Sequence, residues 1–307
     1  MRSTFIKALT EVACDDERLV LLTGDLGFKV FDDFRNRYPA RFYNMGVSEA
    51  NMTAVAAGLA LSGWRPFTYS IVPFATVRCL EQIRNDICNM NAPVVVTGAG
   101  GGFAYGPNGP THHGIDDVAV MRAMPGMTVV CPCDPREVTG AVGALAALGA
   151  PAYLRLARNG EPLLPGTDAP FRLGVPNVLC EGRRVAILAC GPVAAEALAA
   201  AGGLKSRGIE PFVLSVHTVK PLGTLPDFLY NHGIEAAFVV EEHGPCGGLF
   251  EAVCAALGPR RDRPFVVALT APDRFAHAVG SQQFMWGAAG LDADAISRKV
   301  IETLEGL

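Results

Sequence analysis

Short apolar runs alternate with helix-patterned stretches from one end of this chain to the other, and that alternation leaves little choice but a parallel α/β architecture. The runs near Leu19–Leu22, Arg41–Asn44, Pro66–Ser70, Val94–Thr97, Thr128–Cys131 and Ala152–Leu156 predict the strands of one doubly wound, mostly parallel sheet. From Asn159 to Gly182 the pattern lapses into proline, glycine and polar residues. It then resumes at Val185–Ala189, Phe212–Val216, Ala237–Val240 and Val266–Thr270 as a smaller α/β domain. The expected division is therefore a domain over 1–160, a linker over 161–183 and a second domain over 184–307. A length of 307 residues suits two domains of ~150 residues each.

Composition narrows the classes of function. Half of the residues are hydrophobic and 18% are charged, which excludes a disordered chain. A net charge of −4 and the lack of any basic, aromatic-interleaved segment argue against a nucleic-acid partner. The start, MRSTFIKALTE, does not read as a secretory signal, and the apolar stretch Val185 to Leu204 is broken by Gly191-Pro192 and Glu196. A cytoplasmic protein with no membrane partner is expected. Nine scattered cysteines lack the spacing of zinc or redox motifs and read mostly as small core residues, so no metal site is expected on this chain.

Some local signals are sharp. Asp134-Pro135 followed by Glu137 supplies an N-cap, a proline at the first helical position and a capping acid, and Gly149 closes the far end, so a helix over 135–148 is predicted. A second helix is expected from about Ala75 to Met90. Gly98-Ala-Gly-Gly-Gly102 has neither the G-x-G-x-x-G spacing nor a following Gly-Lys-Ser/Thr, so it is not a nucleotide loop.

Arg41 to Gly63 reads strand, tight turn, helix, with Met52, Val55, Ala56, Leu59 and Ala60 at helical spacing. Glu49 then falls in the first helical turn. Periodicity alone is satisfied if Ser48 caps the helix and Glu49 merely complements its dipole. Likewise, Phe74 before a helix is core on residue type alone. His112 and His113, in contrast, stand together in a Gly/Pro-rich loop at a strand's carboxyl edge, where α/β sheets bind ligands.

GVSEANMTAVAAGLALSG, PFTYSIVPFATVRCLEQIRNDI, GPNGPTHHGIDD and, further on, VVEEHGPCGGLFEAV and AVGSQQFMWGAAGLDADAI together resemble the pyrimidine-binding and C-terminal domains of the transketolase superfamily. The resemblance covers the whole chain. It implies thiamine diphosphate as cofactor, with Glu49 sharing a proton with the ring nitrogen of the cofactor's aminopyrimidine and Phe74 stacking on that ring. Asp25, Ile71 and Arg78 complete the implied cofactor set; Ile71 stands where many transketolases have a further phenylalanine. His112 would bond the substrate carbonyl and move its proton, since imidazole titrates near neutrality. His113 is a candidate for a substrate hydroxyl. Arg158 matches a phosphate-binding arginine, and Arg2 is a second candidate.

The sequence also departs from the family. Asn108 replaces an aspartate that reads a sugar hydroxyl, and Gly100 replaces a phosphate-contacting histidine, which puts the usual sugar-phosphate specificity in question. The pattern is similar to two-chain relatives from surface-polysaccharide and specialised-metabolite pathways. No Gly-Asp-Gly segment with a following asparagine stretch is present to hold a diphosphate through Mg2+. The resemblance therefore implies an α-type partner subunit carrying the diphosphate and cation site, an α2β2 heterotetramer, and sugars as substrates in ketol transfer from a ketose to an aldehyde. Two other readings stay open: the β chain of a 2-oxoacid dehydrogenase or deoxyxylulose-phosphate-synthase-like enzyme, and a non-catalytic scaffold subunit. His243 reads as a satisfied interface residue.

Overall fold

A computed structural model describes every residue except Phe28, Asn159 and Leu307. Asn159, where the lapse in pattern begins, thus lies outside the described residues. The first sheet contains β1 (Leu19–Thr23), β2 (Phe42–Asn44), β3 (Arg65–Ile71), β4 (Val95–Ala99), β5 (Thr128–Val130) and β6 (Ala152–Leu156), all parallel. The second contains β7 (Asn177–Cys180), β8 (Val185–Cys190), β9 (Phe212–Ser215), β11 (Ala236–Glu241) and β12 (Phe265–Thr270). β10 (Thr218–Lys220) follows β9 in the chain but joins the first sheet, antiparallel to β5, so the spatial order there is β10-β5-β6-β4-β3-β1-β2. Strands β1, β4, β6, β8 and β11 are buried at every position, as continuous apolar runs in a doubly covered parallel sheet must be.

The predicted mostly parallel α/β class, built on two sheets, is what the structure shows. Two strands were not foreseen. β7 begins at Asn177, inside the segment expected as linker, and packs as an antiparallel edge on β9. β10 is too short to show periodicity, and only its pairing with Val129 and Val130 makes it a strand. Together these join the two halves, and one apolar cluster runs unbroken from Val129 and Cys131 to Leu214, Val216 and Val219.

The helix Pro135–Leu148 forms as expected, with Asp134 accepting from the Glu137 N–H at 2.9 Å and Gly149 left-handed at φ 67°. Glu137 does not close the box on Asp134. Its Oε2 takes the N–H of Cys133 (2.7 Å) and the Ser215 hydroxyl (3.0 Å), and its Oε1 takes the Asn177 amide (2.8 Å), tying the first sheet's helix to the second sheet. Asp134 also binds the Leu164 N–H and the Thr167 hydroxyl. Asp134→Ala should therefore cost more than an ordinary cap, about 2 kcal/mol or above, read as a lowered denaturation midpoint.

The single helix expected from Ala75 to Met90 is not continuous. It breaks into a turn of α-helix at Val72–Ala75, a 3₁₀ turn at Val77–Cys79, a short α turn at Leu80–Gln82 and a π-helical stretch at Ile83–Cys88. The backbone leaves helical geometry at Thr76 (φ −116°, ψ −81°), whose N–H and Oγ1 both end on the Val72 carbonyl (3.0 and 2.7 Å), and the Cys79 thiol takes the Phe74 carbonyl (3.0 Å). Of the cysteines, Cys79, Cys88, Cys131, Cys133 and Cys190 are buried, whereas Cys14 and Cys246 are exposed. Among the described residues no helix is long and apolar enough to cross a membrane.

Candidate active site

Apart from Arg2, on the opening helix Arg2–Asp15, the residues singled out in the sequence for chemistry lie at or beyond the carboxyl ends of strands in the first sheet: Asp25 after β1, Glu49 after β2, Phe74 after β3, His112 in the loop after β4, and Arg158 after β6. This is the edge at which open α/β sheets hold ligands.

Glu49 opens the helix Glu49–Leu61 and is 1% exposed. The turn before it is braced by Asn44, whose Oδ1 accepts from the N–H groups of Gly46 (3.0 Å) and Asp25 (3.1 Å) and whose amide donates to the Asp25 carboxylate (2.8 Å). Asp25 thus acts on the turn. Ser48 makes no side-chain cap bond, so the simple capping reading does not describe this helix end. The Glu49 carboxylate is instead turned to the sheet: Ser70 donates to Oε1 at 2.9 Å and Arg78 to Oε2 at 2.8 Å. A methyl at Gly24 would sit 3.1–3.3 Å from that side chain, so the glycine gives it room.

Arg78 does two things at once. While it pairs with Glu49, its guanidinium lies 4.2 Å above the Phe74 ring. A flat, N–H-bearing cation is therefore already seated between an aromatic face and a buried carboxylate. Those are the features that an aminopyrimidine ring needs, so the residues present fit that part of thiamine diphosphate.

From Phe74 the contacts continue outward. Its ring meets His112 edge-on at 5.3 Å, and His112 Nδ1 lies 3.0 Å from the Thr111 hydroxyl. His112 approaches Tyr105 at 6.3 Å; the Tyr105 ring faces the Arg158 guanidinium at 5.5 Å, and its hydroxyl accepts from Arg2 at 3.4 Å. Glu49, Arg78, Phe74, His112, Arg158 and Arg2 thus form one continuous stripe. Ile71 is half-buried at the end of β3, at the edge of this stripe. Asn108 is exposed at the end of a 3₁₀ turn, Gly106–Asn108.

His113 is placed differently. It is buried, its ring edge-on to Phe103 at 5.4 Å and its Nε2 3.0 Å from the Gly106 carbonyl, so it ties the loop to itself, while its Nδ1 has no hydrogen-bond partner among the described residues. The glycine cluster is not a phosphate cradle either. Gly100 and Gly101 both spend their N–H groups on the Leu156 carbonyl, and the space a side chain would need at Gly100, Gly101 and Gly102 is filled by Tyr105, Arg155 and Glu242.

The histidine loop is clamped from beneath. Arg155, 3% exposed, donates to Asp117 (2.9 Å), the Gly114 carbonyl (2.5 Å) and the Glu242 carbonyl (2.9 Å), and the Tyr153 hydroxyl also donates to Asp117 (2.6 Å). Glu242 of the second sheet accepts from the Phe103 N–H (2.7 Å) and the Gln282 amide. Burial pushes the Glu242 carboxyl up, and the Phe103 bond and Arg155 oppose that push. His243 beside it is buried with Nε2 accepting from the Ala119 N–H and Nδ1 against the Gly244 carbonyl, so both ring nitrogens are partnered within the chain. Sequence reasoning missed Ser70, Arg155 and Tyr105; the only signal for Arg78's pairing was its placement one helical turn after Phe74.

Residues 1–161 match the model of the transketolase pyrimidine-binding domain, and residues 174–296 match that of the transketolase C-terminal domain. The chain belongs to the transketolase family. It is 35% identical to a 6-deoxy-6-sulfo-D-fructose transketolase subunit of Clostridium sp. (strain MSTE9), over 99% of this chain and 94% of that one. It is 32% identical to an apulose-4-phosphate transketolase subunit of Phocaeicola vulgatus, over 98% and 96%. A split-gene transketolase solved as an inactive β4 tetramer superposes with a TM-score of 0.90 at 33% identity, over 99% of this chain and 98% of that one. The transketolase family depends on thiamine diphosphate. The reading made from the sequence, one subunit of a thiamine-diphosphate-dependent transketolase, stands on these end-to-end likenesses.

Proposed function

We propose that this transketolase-family chain is the pyrimidine-side subunit of a split enzyme, its residues 1–160 and 184–307 being the two domains on either side of a 161–183 connector. It works in the cytoplasm in an α2β2 heterotetramer and moves a two-carbon ketol unit from a ketose donor to an aldehyde acceptor. The observation that carries this reading is the seat between Phe74 and Glu49, where Arg78 now lies.

An α-type partner would hold the diphosphate and its Mg2+, for which hard oxygen ligands are needed. Among the described residues no cluster of three or more His, Cys, Asp or Glu side chains is arranged to hold a metal. Thiamine diphosphate, when bound, would supply a carbon nucleophile. On this chain, Glu49 would hold and exchange a proton at Oε2, facing the cofactor's pyrimidine, while Ser70 keeps Oε1 in place. Phe74 would hold the pyrimidine by its aromatic face. His112, its Nδ1 fixed against Thr111, presents Nε2 to the substrate carbonyl oxygen and gives or takes a proton there. Arg158 and Arg2 receive the far end of the sugar. Two similar proteins are described as acting on a sulfonated fructose and on apulose 4-phosphate, both with an anionic end, which supports that role for the arginines.

Reconstitution tests this. The isolated chain with thiamine diphosphate and Mg2+ should show no ketol transfer, and addition of an α-type subunit should restore it. Transfer by the isolated chain alone would overturn the split assignment.

A further inference from the structure

At Gly100, where the resemblance to the family implies a phosphate-contacting histidine, the space a side chain would need is already occupied. With φ at +85° the glycine lets the chain turn beneath Tyr105, and a Cβ at position 100 would land on the Tyr105 ring itself. The ring arrives from the following loop, not from the strand. It is half-buried, lies between His112 at 6.3 Å and the Arg158 guanidinium at 5.5 Å, and its hydroxyl accepts from Arg2 Nη1 at 3.4 Å. Arg2 is tied to the same place through its backbone, its N–H bonding the Arg158 carbonyl at 3.2 Å. The Arg2 Nε is buried and has no hydrogen-bond partner among the described residues. Glu161, an acidic neighbour in sequence, is taken up by the amino group of Met1 at 2.6 Å.

We propose that Tyr105 is the specificity-determining residue of this site. Its ring replaces the missing side chain at position 100 and spaces two arginines away from His112, so that the admitted substrates are open-chain sugars with an anion at the end remote from the carbonyl. The role rests on the ketol-transfer reading given above. The physical basis is that two guanidiniums, Arg158 held by the aromatic face and Arg2 by the phenol oxygen, keep their remaining donors in fixed directions, which suits a phosphate or sulfonate more than a neutral hydroxyl.

The test compares D-glyceraldehyde 3-phosphate with D-glyceraldehyde as acceptors for the reconstituted complex. Tyr105→Phe keeps the ring and removes the acceptor for Arg2; Gly100→Ala drives the ring from its place. Tyr105→Phe should raise KM for the phosphorylated acceptor by about tenfold, the loss of a hydrogen bond to a charged group, while KM for the neutral one and both kcat values stay within about twofold; Gly100→Ala should raise the same KM at least as far. Equal changes with both acceptors, or none, would overturn the proposal. A second measurement does not depend on turnover: calorimetric titration of D-glyceraldehyde 3-phosphate into complexes carrying Glu49→Gln, with and without Tyr105→Phe. Weaker binding in the double variant supports the role of Tyr105 even if the wild-type complex proves not to transfer ketol units, and equal binding removes it.

Discussion

Glu49→Gln should lower ketol transfer by the reconstituted complex by about a thousandfold or more while leaving the chain folded. Glutamine has the same shape and still offers an oxygen to Ser70, but the amide group at the other position cannot exchange a proton as the carboxyl does; general acid–base groups are worth roughly 10²–10⁴ in rate. The fold is spared because Arg78, which loses its ionic partner, has a side chain 44% exposed and can be solvated. Steady-state rates with circular dichroism and thermal melts on the same preparations check this. A variant retaining more than about a tenth of the wild-type rate would sink the assignment of Glu49 and favour a subunit that has kept only the fold.

Arg155→Met should remove about 3–5 kcal/mol of stability, the largest structural effect expected from one substitution here. Arg155 and Asp117 are 3% and 0% exposed at the side chain, and water cannot compensate either one alone. Methionine would fill the volume but leave the Asp117 charge buried, and the Gly114 and Glu242 carbonyls would lose their donor. Denaturant unfolding gives the measurement. The double variant Arg155→Met, Asp117→Leu should recover part of the loss, since removing both charges costs less than stranding one. A single-variant loss below about 1 kcal/mol would show that the pair is hydrated in solution. Because the same guanidinium grips the loop carrying His112, the single variant should also lose activity at temperatures well below its unfolding.

Much of this architecture could be read in the chain because parallel sheets demand strands that are apolar on both faces, and such runs are conspicuous. The Pro135–Leu148 helix could be read because its end signals are local. Glu49 emerged once its turn and the small-residue helix behind it were seen together. What escaped was whatever depends on distant partners. β10 is a strand only because β5 lies beside it; the stretch after Phe74 departs from one helix at Thr76, whose backbone leaves the helical region, and the Cys79 thiol then takes the Phe74 carbonyl. Two adjacent histidines look alike in the sequence, yet the fold sends His112 to the aromatic stripe and His113 into the loop's interior. Tyr105 was passed over because its importance is written at Gly100, in an absence, and only packing shows which side chain exploits it.

The antiparallel strand Thr218–Lys220 makes the first sheet dependent on residues that follow long after its last parallel strand. A chain ending after β6 would carry a raw hydrogen-bonding rim along Thr128–Val130, ready to capture any extended peptide. The edge that carries Glu49 and His112 lies on a sheet that the second half of the chain completes, so that half holds the candidate site in place from behind.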